Sequence, residues 1–365
     1  MASHLFSPFT LRGVTFDNRV AVAPMCQYSA KDGTPGDWHH MHLGQYAISG
    51  AGLVIIEATG VEANGRITPV CTGLYSDENE AAFARILEYC RATGPAKFGI
   101  QLGHAGRKAS TVAPWEGGGR VTGPEAWDPD APSPVPYLDG WEPPHALDEA
   151  GLARIRGAFG TSAKRAARLG LSFLELHCAH GYLLHEFLSP LTNHRTDSYG
   201  GSLENRMRFP LECFEAARAA FPDDAPVAVR LSATDWIDGG WDLASSIALS
   251  KALKAAGCDI IHVSSGGLRQ DQAIKTGAGY QTDFAADIRR EAQIPTIAVG
   301  QITEPLQAET IVRTGQADMV ALARAFLWNP RWVWHAALAL DAELALPAPY
   351  ARCHPGLRAK PFVKR

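Results

Sequence analysis

The chain lacks most of the features that would place it at a glance. Its seven cysteines, at 26, 71, 90, 178, 213, 258 and 353, include no CxxC pair and are odd in number, so neither a disulfide framework nor a clustered metal centre is expected. Neither sign of charge dominates: 34 basic against 38 acidic residues give a formal net charge of -4, which offers nucleic acid no bulk attraction. No window approaches the roughly 18 uninterrupted apolar residues of a membrane span, and the opening MASHLFSPFTLRG has no basic region followed by an apolar stretch. A soluble protein of the reducing cytoplasm is expected, with neither nucleic acid nor membrane as partner. Dinucleotide and phosphate fingerprints are missing too: Gly277-Ala278-Gly279 lacks the third glycine of GxGxxG, and no Walker A sequence occurs. A nicotinamide cofactor, if used, then visits an open site and has no domain of its own.

What is present is a repeat. Short β-rich apolar runs recur at 20–25, 53–58, 97–102, 173–178, 227–232, 260–265, 296–300 and 319–323, separated by helix-length amphipathic segments such as 79–93, 151–170 and 208–221. Alternation of this kind predicts βαβ units and a parallel sheet, and eight units are the number that closes a barrel. The expected fold class is α/β, a single (β/α)8 TIM barrel spanning the chain, with a doubly wound sheet as the alternative. Residues 5–19, with a turn at Gly13, predict a hairpin over the barrel bottom. The stretch from Ser110 to His145, rich in Pro, Gly and Trp, is too long for an ordinary loop after strand three. It reads either as a substrate cover or as surface packing.

Barrel enzymes build their sites at the carboxyl ends of the strands, and polar residues collect there. On strand four, period-two alternation sends Leu174 and Leu176 to the helices and Glu175 and His177 inward. His180 and Tyr182 follow, with Gly181 relaxing the turn between them. Two imidazoles can hold a substrate oxygen while a phenol, normally protonated at neutral pH, delivers a proton. The same imidazoles, with His104, could instead bind zinc or manganese. Arg230 interrupts an apolar strand and needs an anionic or accepting partner: either Glu175 as a structural mate or a cofactor ring that becomes anionic on reduction. Ser264-Ser265-Gly266-Gly267, Gly300 and Ala323-Arg324, after strands six to eight, suit a phosphate. Cys26 reads as a buried small hydrophobe or as a thiol touching a redox cofactor. Arg107 and Lys108 make the mouth locally basic.

Together 24-PMCQY-28, 101-QLGHAGRK-108, 177-HCAHGYLLHEFLSPLTNHRTDSYGGSLENRMRF-209, Arg230 and 347-PAPYAR-352 resemble the Old Yellow Enzyme family of FMN-dependent ene-reductases, in its thermophilic-like, xenobiotic-reductase branch. The resemblance covers residues 5 to 355. It implies a non-covalent FMN touched by Pro24, Met25, Cys26, Ala58, Gln101, His177, Arg230, Ser265, Gly266, Gly300, Gln301, Ala323 and Arg324, reduced by NADPH or NADH. It also implies that His177 and His180 bind the oxygen of an activated alkene or nitro compound and that Tyr182 protonates its α-carbon. Tyr28, Cys26, Lys108 and Arg352 are implied substrate contacts, with Arg352 reaching a neighbouring subunit's site from a C-terminal segment, 345–365, in a homodimer or dimer of dimers. Ala323, where relatives commonly carry glycine, and Gln301, where some carry an aromatic, depart from the pattern. A related dienoyl reductase or amine dehydrogenase is disfavoured by the absence of clustered cysteines, and a barrel without flavin is predicted to be colourless.

Overall fold

The computed structural model describes residues 2–355 and the backbone of 360 and 361. Eight strands form the barrel: β1 (Val20–Val22), β2 (Leu53–Gly60), β3 (Lys97–Gly103), β4 (Phe173–Cys178), β5 (Val227–Ser232), β6 (Ile260–Ser264), β7 (Thr296–Ala298) and β8 (Met319–Leu322). All neighbours are parallel, and β8 pairs with β1 through Val320–Val20, Ala321–Ala21 and Leu322–Val22. That pairing closes the barrel and excludes the doubly wound alternative. The first strand is shorter than the apolar run, because Pro24 has no N–H with which to continue a ladder.

Strand alternation divides the core in two. Leu53, Ile55, Phe173, Ile260, Ile297 and Met319 fill the barrel floor together with Leu11 and Phe16. The latter two come from the expected hairpin, Phe9–Leu11 paired with Val14–Phe16. Phe16 is fully buried and meets Phe173 edge-on at 6.3 Å; burying such a ring stabilises by about 1.5–3 kcal/mol. Val54, Ile56, Leu174 and Leu176 point the other way, into the layer under the helices. The alternation read from strand four therefore holds.

Several of the long helices start at side-chain caps. Ser76 accepts from the Asn79 amide and opens Asp77–Thr93, and Asp148 accepts from Gly151 to open Glu149–Arg168. Ser202 caps Leu203–Ala220, which starts five residues earlier than the apolar pattern suggested and carries Pro210 within it. The excursion after β3 is tied down at one end. Arg154 pairs with both Glu62 and Asp130, and Asp130–Ala131 bridges to His145–Ala146.

Candidate active site

His177 closes β4 and is buried, and its Nδ1 accepts from the Ala179 amide at 3.3 Å. The ring proton must then sit on Nε2, which faces His180 Nδ1 at 3.4 Å. His180 in turn carries its proton on Nε2 and donates to Ser264 Oγ at 2.7 Å. Burial, with the Arg230 and Lys108 cations nearby, holds both imidazoles well below their usual range. Both are neutral at pH 7, and the His177 proton is the one offered to the mouth. Tyr182 stands edge-on to His177, ring centroids 4.8 Å apart. Burial raises its phenol well above the ordinary value, so it keeps its proton across the physiological range.

Cys26 and Tyr28 lie on the same mouth. Burial, with Cys71 and Glu57 adding to it, pushes the Cys26 thiol up, so it is no resting thiolate. Burial also raises Tyr28, which occupies the left-handed region at φ +50° and meets Trp115 of the excursion edge-on at 5.4 Å. Thus the excursion does reach the mouth. Their loop hangs from Glu57, which accepts from the Gln27 amide at 2.9 Å. Lys108 is committed to backbone: its ammonium donates to the carbonyls of His180 at 2.9 Å and Gly267 at 3.1 Å.

Below the mouth, Gln101 donates to Glu175 at 2.7 Å, and His262 Nδ1 stands 2.8 Å from the other carboxylate oxygen. Both oxygens of Glu175 are therefore engaged without Arg230. The buried Arg230 forms no ion pair within 4.0 Å among the described residues, and its Nε has no hydrogen-bond partner. The structural mate considered for it is not what the structure builds.

Arg230 looks into a cavity of about 790 Å³ lined also by Ser264, Tyr280, Gln281, Gly300, Gln301, Ala323, Arg324 and Trp328. At its far end Arg324 is exposed and unpaired among the described residues, and Gly300 holds φ +122°, where an added Cβ would meet Gln281 Nε2 at 2.6 Å. An elongated group with a hydrogen-bonding ring at one end and a phosphate at the other fits this space, and the orphaned Nε supplies the observation that asks for it.

The polar groups of Ser265 and Gly266 have partners within the protein. Ser264 lines the cavity, and the Ser265 hydroxyl donates to Gln281 at 2.6 Å. The Gly266 amide is spent on the Thr234 carbonyl at 2.8 Å. Ala58, Thr59, Gly103, His177 and Tyr182 border a narrower cleft. Pro24 and Met25 stand half-buried beyond β1. Nor does the three-imidazole metal set form: His104 joins Glu62 and Asp130 instead, and the Arg154 guanidinium already bridges those carboxylates. Gln281 and Trp328 were not legible in the sequence: one caps the helix Thr282–Ala292 and the other ends the helix Arg324–Trp328, and only the closed barrel brings both to the cavity.

The profile of the NADH:flavin oxidoreductase / NADH oxidase family matches residues 4–343. The chain belongs to this family. It is 42% identical to an NADPH dehydrogenase of Geobacillus sp. (strain WCH70) over 354 residues, 96% of this chain and 99% of that one. To an NADPH dehydrogenase of Bacillus subtilis (strain 168) it is 40% identical with the same coverage. Among solved structures, morphinone reductase superposes with a TM-score of 0.77 at 29% identity, covering 96% of this chain and 92% of that one. Membership makes the protein an FMN-dependent, NAD(P)H-using oxidoreductase, and the Old Yellow Enzyme resemblance is borne out. Among the described residues no helix is long and apolar enough to cross a membrane.

Proposed function

We propose that the protein is an ene-reductase for alkenes conjugated to a carbonyl or nitro group, with His177 and His180 holding the substrate oxygen and Tyr182 donating the proton. The observation that carries this reading is a pair of neutral imidazoles beside a protonated phenol, at the same mouth as an unpaired buried arginine. When bound and reduced by NAD(P)H, FMN would supply the hydride for the β-carbon. The weak 3.4 Å contact between the imidazoles is the one an incoming oxygen displaces: it accepts from His177 Nε2 and, with His180 in its other tautomer so that Ser264 donates to Nε2, from His180 Nδ1 as well, which polarises the alkene. Tyr182 then gives its proton to the α-carbon, so one hydride and one proton add across the double bond. Gln101 and Arg230 would hold the ring of the flavin, and Gly300, Gln301, Ala323 and Arg324 would hold its phosphate.

The C-terminal segment supports a shared site. Tyr350 packs on Trp334 with centroids 5.8 Å apart, while Arg352 is exposed. Trp328, at 91% exposure, and Leu327, Leu338 and Tyr350 are apolar side chains left exposed, more than a lone exposed residue. A second copy covering them, with Arg352 reaching the neighbouring mouth, accounts for both features. Residues 356–359 and 362–365 of that segment lie outside the described residues.

The test is spectroscopic. Purified protein shows flavin absorbance that bleaches with anaerobic NADPH and returns with 2-cyclohexenone. Tyr182→Phe should slow the return at least tenfold while leaving the bleaching within about threefold. Equal losses in both half-reactions would remove Tyr182 from the proton-donor role.

A further inference from the structure

The turn that presents His180 and Tyr182 is held in an unfavourable shape. His180 has φ +59° and Gly181 φ +73°, two successive left-handed residues, the first bearing a side chain. An added Cβ on Gly181 would lie 2.5 Å from the Gly267 carbonyl oxygen, so the turn cannot relax in that direction. Side chains clamp its backbone. Ser232 Oγ accepts from the His180 amide at 3.0 Å, Lys108 donates to the His180 carbonyl at 2.9 Å, and His185 Nδ1 accepts from the Gly181 amide at 2.9 Å.

The last clamp depends on a proton. Only an imidazole carrying its single proton on Nε2 can accept at Nδ1. His185 Nε2 stands 2.9 Å from Asp235 Oδ1, not in line for an ideal hydrogen bond, and both side chains are fully buried. The other Asp235 oxygen is saturated by the Ser189 hydroxyl and the Trp241 amide, each at 2.7 Å. Oδ1 is left facing the imidazole. A carboxylate so placed selects the Nε2–H tautomer, as carboxylates behind orienting histidines do elsewhere.

We propose that His185 and Asp235 form a positioning pair: the carboxylate sets the His185 tautomer, and that tautomer holds the Gly181 amide and with it the turn carrying His180 and Tyr182. The proposal rests on the reading in which those two residues act on the substrate. Neither His185 nor Asp235 lines the cavity of Arg230, so both act through the turn.

Asp235→Asn tests it. The Ser189 and Trp241 donors require the amide oxygen on their side, which turns the NH2 toward His185 Nε2. The imidazole proton is driven to Nδ1, against the Gly181 N–H. In the FMN-loaded variant the expected result is at least a tenfold slower reoxidation by saturating 2-cyclohexenone, with the FMN dissociation constant within twofold of wild type. Nitrogen-15 NMR of histidine-labelled protein reads the tautomer directly: Nε2–H for His185 in the wild type, Nδ1–H in the variant. Reoxidation at the wild-type rate would overturn the pair. So would a wild-type His185 proton found on Nδ1, a result that needs no variant to fold. Failure of the underlying reading looks different: Tyr182→Phe would be inert while the His185 tautomer stayed as described.

Discussion

Arg230→Met should weaken cofactor binding while leaving the apoprotein as stable as before or slightly more so. The exchange keeps much of the volume and removes a buried charge whose Nε has no partner; relieving one such group is worth about 1–3 kcal/mol. Against that stands Glu175, near enough for its charge to stabilise the guanidinium despite the burial that disfavours it. If Glu175 depended on Arg230, removing the arginine would cost about 3–5 kcal/mol. Its oxygens, however, are satisfied by Gln101 and His262, so most of that penalty should not arise. With FMN bound the sign reverses, because a charge-assisted hydrogen bond worth about 1.5–3 kcal/mol is lost, equivalent to roughly 10- to 100-fold in dissociation constant. The assay is paired: urea unfolding of flavin-stripped protein, and FMN titration followed by quenching of its fluorescence. An apoprotein destabilised by about 3 kcal/mol or more would refute the reasoning, since Arg230 would then be a structural ion-pair partner.

Glu186 is fully buried, with Arg107 and Lys108 beside it, and burial, opposed by Arg107, pushes its carboxyl up to about 8. In the unfolded chain it ionises near its reference value of about 4.3. Between those values the unfolded chain has shed the proton and the native protein keeps it, so this group's contribution is full below about pH 4.3 and is lost as pH rises toward 8, by at most about 1.4 kcal/mol per pH unit. Glu186→Gln should flatten the fall in urea midpoint from pH 5 to pH 8; identical slopes in the two proteins would contradict it. Arg352→Ala should raise KM for the enone several-fold without changing the sedimentation coefficient of a dimer. A monomeric wild type, or a variant of unchanged KM, would remove the shared site.

The periodicity of the chain carried the barrel, because each βα unit obeys local rules that repeat eight times. The inward face of β4 was legible for the same reason: a strand with helices outside must turn Glu175 and His177 to the centre. The floor hairpin was readable as well, though its job of plugging the barrel with Phe16 appeared only once Phe173 stood opposite it. Helix Leu203–Ala220 began earlier than the apolar pattern implied because Ser202 caps it, a local hydrogen bond that hydrophobic periodicity does not register.

The sequence by itself determined which residues stand at the strand ends, since chain order and alternation place His177, Arg230 and Gly300 there. The closing strand pair of Val20–Val22 with Met319–Leu322 then decided which of them share a site. Whether Glu175 would pair with Arg230 or with Gln101 and His262 depended on four adjacent strands in fixed register. The same holds for Asp235 arriving behind His185. These are contacts between residues 46 to 87 positions apart, and hydrogen-bond geometry at 2.7–2.9 Å is set by the packed barrel, not by any local pattern along the chain.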